Sequence, residues 1–211
     1  MARKTKAEAE ITYHALLDAA EDVFASKGVT RSTLADVAQR AGVTRGALYW
    51  HFADKKALLN GVCDRAFLPM EVLLEEAGSG PSDDPLGQIR DISLHILNLV
   101  AQDSRQRKVF DIIYHHCEKN EEFASFIDER ESRRACLKQL EAIFIAAIKC
   151  GQLPADTDAG LAMQAHHAYL VGLMHQWLLE PSNFSLRQHA TAMVDMMLAG
   201  LVACPPRRRG K

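Results

Sequence analysis

Between Thr33 and Phe52 the chain has room for two short helices and one turn, and this constraint organises the rest of the sequence. Thr33-Leu34-Ala35-Asp36 has the pattern of a capping box, in which a threonine hydroxyl and an acidic side chain satisfy the first free N–H groups of a helix. Leu34, Val37, Ala38 and Ala41 then fall on one face at i, i+3, i+4 and i+7. Gly42 is a stop signal, and Thr44 opens the next helix through its hydroxyl. The second helix has an unusual order of residues for a core element. Arg45 stands in the first turn, where it reaches past the helix end. Gly46 carries no side chain, so that turn can press against another surface. Ala47, Leu48 and Phe52 are expected to face inward, while Tyr49, Trp50 and His51 offer polar tips on aromatic bodies. Two short helices with a tight glycine turn form a helix-turn-helix. An arginine reads guanine by two hydrogen bonds, and tyrosine and histidine suit phosphates, so the pattern fits a helix in a DNA major groove. The alternative is an αα-hairpin that only packs.

Everything around this stretch also reads as helix. Thr5-Lys6-Ala7-Glu8 is a capping box for a first helix that carries Leu16, Ala19, Ala20, Val23 and Phe24 and stops at Gly28. Asp54 caps a fourth helix that begins Lys55-Lys56, two cations set against the helix dipole, for which phosphate is a natural outside partner. Pro69 falls inside that helix and predicts a kink or restart. Gly78-Ser79-Gly80-Pro81-Ser82-Asp83-Asp84-Pro85 is the clearest loop. Helical patterns follow over 86–101, 105–117, 121–150, 157–179 and 186–203, with no strand-like alternation and no internal repeat. The expectation is an all-α chain of two domains. A DNA-binding head spans 1–54. A ligand-binding and dimerisation body spans 55–204, with 55–77 as connecting helix. The basic tail 205–211 (Pro205-Pro206-Arg207-Arg208-Arg209-Gly210-Lys211) is expected to be disordered.

Charge supports this division. The net charge is -2, but residues 1–60 hold nine Lys/Arg against seven Asp/Glu, whereas residues 61–203 hold twelve against twenty. A slightly basic end on an acidic body fits a head that meets nucleic acid and a body that does not. No apolar run approaches the ~20 residues of a membrane span, and no hydrophobic signal core follows the basic start. A cytoplasmic protein with no membrane partner is expected. The five cysteines are scattered without a C-x-x-C pair, which suggests neither a disulfide framework nor a zinc ribbon. A phosphate-binding glycine loop, a nucleophile elbow and a two-histidine metal motif are all lacking, so no enzyme activity and no cofactor are expected.

The residues from 5 to 60, above all Arg45-Gly46-Ala47-Leu48-Tyr49-Trp50-His51-Phe52 and Lys55, resemble the TetR family of bacterial transcriptional repressors. Met1-Ala2-Arg3-Lys4-Thr5-Lys6, His116-Cys117-Glu118, Gly151-Gln152-Leu153-Pro154 and the run from Gly172-Leu173 to Trp177-Leu178-Leu179 are similar to the AcrR-like repressors of multidrug (RND-type) efflux pumps. The resemblance implies a homodimer of nine-helix chains that binds a pseudo-palindromic operator and leaves it when a hydrophobic small molecule enters the body. Regulation of a metabolic operon, or activation, is the alternative within the family. On the matching positions, Arg45 and Gly46 would meet base edges. Thr33, Thr44, Tyr49, Trp50, His51 and Lys55 would hold phosphates or the local register, with the Arg3-Lys4 arm adding backbone attraction.

Helix bundles hold ligands between facing helices. The expected lining is Phe67, Ile92, Ile96, Phe110, Ile113, Tyr114, Cys136, Leu140, His167, Leu170 and Met174, with Glu71 or Glu118 as a source of charge. Other histidines at inward spacing are His95, His115, His116, His166 and His175. Adjacent helical residues diverge by about 100°, so His115-His116-Cys117-Glu118 cannot all ligate one ion. A metal shared with His166-His167, and thiol sensing by Cys117 or Cys136, are lesser alternatives; the latter needs a lowered thiol pKa. Leu173 and Trp177 on one of the last two helices, and Met193, Met197 and Leu201 on the other, are expected to form the isologous contact of a twofold dimer.

Overall fold

A computed structural model describes residues 6–78, 82–117 and 131–208, with the side chains of 76–78 and 131–133 left aside. Among these residues there are nine α-helices and one π turn: α1 (Lys6–Lys27), α2 (Leu34–Arg40), α3 (Arg45–His51), α4 (Lys55–Gly78), α5 (Pro85–Gln102), α6 (Ser104–Asp111) running into a π turn (Ile112–His116), α7 (Glu131–Lys149), α8 (Ala159–Leu179) and α9 (Leu186–Ala203). The Arg3-Lys4 arm, Thr5, Glu118 and the end of the basic tail lie outside the described residues. The chain divides into two compact units, Met1–Leu68 with Lys108–Ala124, and Pro69–Arg107 with Ser125–Lys211. The first half of α4 belongs with the head, the division falls at Pro69, and a segment distant in sequence joins the first unit.

In the first unit, α1 buries Leu16, Leu17, Ala20 and Phe24, α2 buries Val37, α3 buries Leu48, and Phe52, Leu58 and Val62 are buried after it. The two short helices keep their ends by local chemistry. The Thr33 hydroxyl accepts from Asp36 N–H at 3.1 Å while Asp36 Oδ2 accepts from Thr33 N–H at 2.9 Å, so the capping box is reciprocal. Thr44 accepts from Ala47 N–H at 3.2 Å. Gly42 takes φ +67°, the left-handed region that lets the chain turn between them. Gly61 serves close approach: a Cβ there would stand 2.9 Å from Leu17 Cδ2 and 3.2 Å from Phe52.

The π turn packs on α1, and its last carbonyl, on His116, accepts from Val29 N–H at 2.9 Å. Lys108, just before it, pairs with Asp22 at 2.8 Å, and Asp22 pairs with Arg40 of α2 at 2.6 Å. The sequence pattern over 105–117 predicts one uninterrupted helix, but the last turn is wound more widely. A π turn costs hydrogen-bond geometry and persists where outside contacts hold it; here Val29 and Asp22 supply them.

The second unit is built on α5, which packs on α9 and α7, with α7 and α8 packed together. Arg90 of α5 pairs with Asp195 of α9 at 2.5 Å, and the Tyr169 hydroxyl of α8 donates to the Met193 carbonyl of α9 at 3.1 Å. Disorder of the tail is not observed over 205–208. Arg207 forms an antiparallel bridge with Thr157, Asp158 N–H donates to the Pro206 carbonyl at 2.7 Å, Arg208 N–H donates to the Asp156 carbonyl at 2.9 Å, and Arg207 pairs with Asp156. Prolines forbid a helix but leave their carbonyls free to accept, and a segment 51 residues away provides the donors and the counter-charge. No described helix is long and apolar enough to cross a membrane.

Candidate functional site

The outward face of α3 assembles the residues that the sequence singles out. Arg45 is exposed and makes no ion pair or hydrogen bond among the described residues. A Cβ on Gly46 would meet nothing within 4 Å, so the first turn of α3 is bare. Tyr49 is 49% and Trp50 73% exposed, against 0% for Leu48, whose side chain anchors the helix from below. Two large aromatic rings left in solvent beside an unpaired guanidinium are uneconomical for an isolated surface and suit one that meets a partner. His51 lies half-buried, 4.6 Å from the Trp50 ring and 6.0 Å from Tyr13, which stacks on Phe52 at 5.2 Å. The aromatic cluster thus fixes the far end of α3 to α1.

The ammonium of Lys55 is engaged within the chain. It donates to the carbonyls of Thr30 at 3.0 Å and Ser32 at 3.2 Å, so it clamps the α1–α2 turn instead of standing free for a phosphate. A helix start repels cations, and the nearby turn offers two carbonyls as compensation. Thr33 and Thr44 are likewise spent on the caps described above. Asp36 receives a hydrogen bond from Lys27 and two from Thr33, which hold its carboxyl at about 2. Asp22 is also held below the usual carboxylate range, by Lys108 and then Arg40.

The expected ligand residues fall in both units. In the first, Phe110 is 1% exposed, edge-on to Phe67 at 5.5 Å and 5.9 Å from the Tyr114 ring, with Ile113 buried beside it in sequence. In the second, Ile92, Leu140, Leu170 and Met174 are buried, while Ile96, Cys136 and His167 are half-buried. The histidine taken into the core is His166, not His167. Its Nε2 lies 2.8 Å from the Ser93 hydroxyl and its ring is edge-on to Phe144 at 5.8 Å. Burial, and then the neighbouring His167, push its pKa down to about 4, so it is neutral. Sequence alone gave no means of choosing between adjacent histidines on α8. His95 points to solvent instead of inward.

No group of three or more metal-ligating side chains occurs among the described residues. The π turn nevertheless brings His115 and His116 to one carboxylate, at 2.7 and 3.3 Å from Asp111. Thiol sensing finds no support. Burial pushes the Cys117 thiol up, and burial with the charges of Glu71 and Glu75 pushes Cys136 to about 11, away from the thiolate that oxidants attack.

On the last two helices, Trp177 and Leu201 are core and not surface. The Trp177 ring lies under the Arg107 guanidinium at 5.0 Å, and its N–H donates to the Phe184 carbonyl at 3.2 Å. Leu173, Met193 and Met197 are half-buried. The exposed face is made by Leu161, Ala165, Ala168 and Leu179 of α8 and Ala192, Met196, Ala199 and Ala203 of α9, with Met196 63% exposed. A Cβ on Gly172 or Gly200 would meet nothing within 4 Å. This face of small and apolar residues was missed because its spacing is shared with the buried side of the same helices.

Comparison with known proteins matches the two regions separately. Residues 16–62 match the model of bacterial regulatory proteins of the tetR family, and residues 84–202 match the C-terminal region of MAATS-type transcriptional repressors. The HTH-type transcriptional regulator TtgR of Pseudomonas putida is 37% identical over 99% of this chain and 100% of its own. The crystal structure of NalD, the secondary repressor of the MexAB-OprM multidrug efflux pump in Pseudomonas aeruginosa, is 31% identical, with a TM-score of 0.80 over 94% of this chain and all of that one. A complex of SmeT with triclosan is 30% identical, again with a TM-score of 0.80, over 95% of this chain and 100% of that one; SmeT is the repressor of the Stenotrophomonas maltophilia multidrug efflux pump SmeDEF. Head and body are thus matched by the two halves of one regulator type, and the relatives align from end to end: the chain belongs to the TetR family, as a transcriptional repressor and not an enzyme.

Proposed function

We propose that this repressor binds a pseudo-palindromic operator as a homodimer in the bacterial cytoplasm, and that a hydrophobic, drug-like molecule in the body releases it and turns on a multidrug efflux operon. The observation that carries the reading is the match through the body: SmeT, solved with triclosan, covers 95% of the chain. On the DNA side, Arg45 and the bare first turn at Gly46 reach base edges, and Tyr49 and Trp50 flank them against the backbone. Thr33, Thr44, His51 and Lys55 act indirectly, by fixing the register of α2 and α3. Two such helices must stand one DNA turn apart or a multiple of it, ~34–36 Å. The exposed face of α8 and α9 supplies the isologous contact, since small residues let a second copy approach closely.

Release requires the ligand to bind the DNA-incompetent form more tightly. The segment 108–116 is the natural relay, because it follows α5 in sequence yet is held to α1 by Lys108–Asp22 and His116–Val29. Selection of preferred sites from random duplexes, repeated with triclosan present, tests the proposal. A palindromic consensus lost on adding triclosan is expected. Binding that ignores sequence refutes the operator assignment, and a consensus indifferent to triclosan and to a panel of hydrophobic antibiotics refutes the efflux assignment.

A further inference from the structure

Among the described residues, four buried side-chain polar atoms have no hydrogen-bond partner, and one of them, on His166, lies in the core shared by α5, α7 and α8. His166 is 1% exposed, and its Nδ1 has no hydrogen-bond partner. Its other ring nitrogen, Nε2, meets the Ser93 hydroxyl at 2.8 Å. Ser93 has a single hydroxyl proton, and its shorter contact, 2.6 Å, is to the Ile89 carbonyl. A carbonyl only accepts, so the serine proton goes there. Nε2 must then carry the imidazole proton and donate it to the serine oxygen. The tautomer is fixed by this chain of bonds: Nδ1 is left as a bare acceptor.

A buried acceptor without a donor is costly, and native cores rarely keep one without a use. Around it the lining is apolar. Phe144 stands edge-on to the ring, and Ile92, Leu140, Leu170 and Met174 continue the buried faces of the same three helices. The buried polar side chains described in this unit are Ser93, Gln106, Thr157 and His166, none of them a carboxylate. A cation entering beside the ring would lose its hydration with no buried carboxylate of this unit, among the described residues, to replace it. A neutral aromatic molecule with one hydroxyl or N–H matches both features: its body suits apolar neighbours and its proton satisfies Nδ1.

We infer that His166, oriented by Ser93, is the hydrogen-bond acceptor by which the body selects neutral, phenol-like ligands over isosteric molecules that lack a donor. This deepens the reading of the body as a receptor for hydrophobic small molecules and rests on it. It also assigns a role to each half of the His166 ring, which makes the assignment separable by substitution. Glutamine places its amide near the position of Nε2 and keeps the Ser93 contact, but removes the acceptor at Nδ1. Asparagine places its amide oxygen near Nδ1 and gives up the Ser93 contact.

The test is calorimetric titration of the full-length protein with 2-naphthol and with 2-methoxynaphthalene, the same ring with its donor methylated. Wild type is expected to bind 2-naphthol about tenfold more tightly, the worth of one hydrogen bond in a dry site. In His166→Gln the two probes should bind within about twofold of each other, and in His166→Asn the preference should return. Operator binding without probe checks that each variant is folded. A second measurement needs no variant: the 15N resonance of His166 Nδ1 in the wild-type protein should move on adding 2-naphthol and stay in place with the methyl ether. Equal affinity of wild type for both probes, a preference that survives in His166→Gln, or a ring resonance indifferent to 2-naphthol overturns the inference while leaving the body a receptor for apolar molecules. Failure of 2-naphthol to bind overturns the inference, and if triclosan also fails to bind, the receptor reading falls with it.

Discussion

Arg45 and Lys55 are both cations beside the recognition helix, yet their surroundings give opposite expectations for substitution. Arg45 has no partner in the described chain, so Arg45→Ala should leave thermal stability unchanged and cost ~1–3 kcal/mol of operator affinity, with base preference relaxed at one position per half-site. Equally tight and equally selective binding by that variant would remove Arg45 from base recognition. Lys55 spends its ammonium on the carbonyls of Thr30 and Ser32. Lys55→Ala should lower stability by about 2 kcal/mol and leave the salt dependence of operator binding as it was. A phosphate contact would instead lower the slope of log affinity against log salt by about one, and that result would make Lys55 a phosphate ligand. His166 gives a third measurable outcome. Its pKa is about 4 in the folded chain against 6.5 in the unfolded one, because burial disfavours the charged ring. The unfolded chain therefore binds the extra proton between these values, and stability is intact above pH 6.5 and falls as the pH drops towards 4. The contribution is about 3 kcal/mol in total. Denaturant unfolding of wild type and His166→Gln at several pH values should show this added fall in wild type only; parallel curves would mean that the ring is not buried neutral.

The caps of α2 and α3 were legible because capping is local chemistry: Thr33 with Asp36, Thr44 with Ala47 N–H, and Gly42 for the turn all lie within a few residues of what they serve. Elements shaped by distant partners were not. The π turn keeps an ordinary helical sequence and is wound differently because Val29, more than eighty positions earlier, donates to its last carbonyl. The tail reads as a helix breaker, which it is, but its docking depends on Asp156 and Thr157. The same physics explains which site residues were found. Outward groups on α3 show themselves by being wrong for a core, whereas Lys55 and His166 depend on atoms that sequence does not bring near them. Asp22 joins two of these elements, since Lys108 and Arg40 both pair with it. Asp22→Asn should therefore loosen α6 and α2 together. If the segment 108–116 is the relay for release, this variant should need more ligand for half-release while keeping its affinity for the ligand itself. Unchanged release with unchanged binding would place the relay elsewhere.

Operator recognition by two helices a fixed distance apart depends on what joins the copies, and the exposed face of α8 and α9 is the surface proposed for it. α8 has 21 residues and so runs about 31 Å, long enough with α9 for an interface of the ordinary size of about 800 Å² per partner. At a twofold contact each residue of the patch occurs twice, so one substitution is felt as two. Met196 is exposed in the single chain, and its replacement should not disturb the fold. In the dimer, Met196→Glu would bring two carboxylates into an apolar contact where neither finds a partner. Sedimentation should show a monomer with the helical content and single-chain melting behaviour otherwise preserved. A control, Gln102→Glu at an exposed position at the end of α5, should remain dimeric. The monomer presents one recognition helix, so the second half-site no longer benefits from the high local concentration that the first contact creates. Affinity for the full operator should fall to that for an isolated half-site, and raising the protein concentration should recover it in part, because association obeys mass action. A Met196→Glu protein that stays dimeric and binds the full operator as wild type does would mean that the copies join through a different surface, and the spacing of the two α3 helices would then have to be set from there.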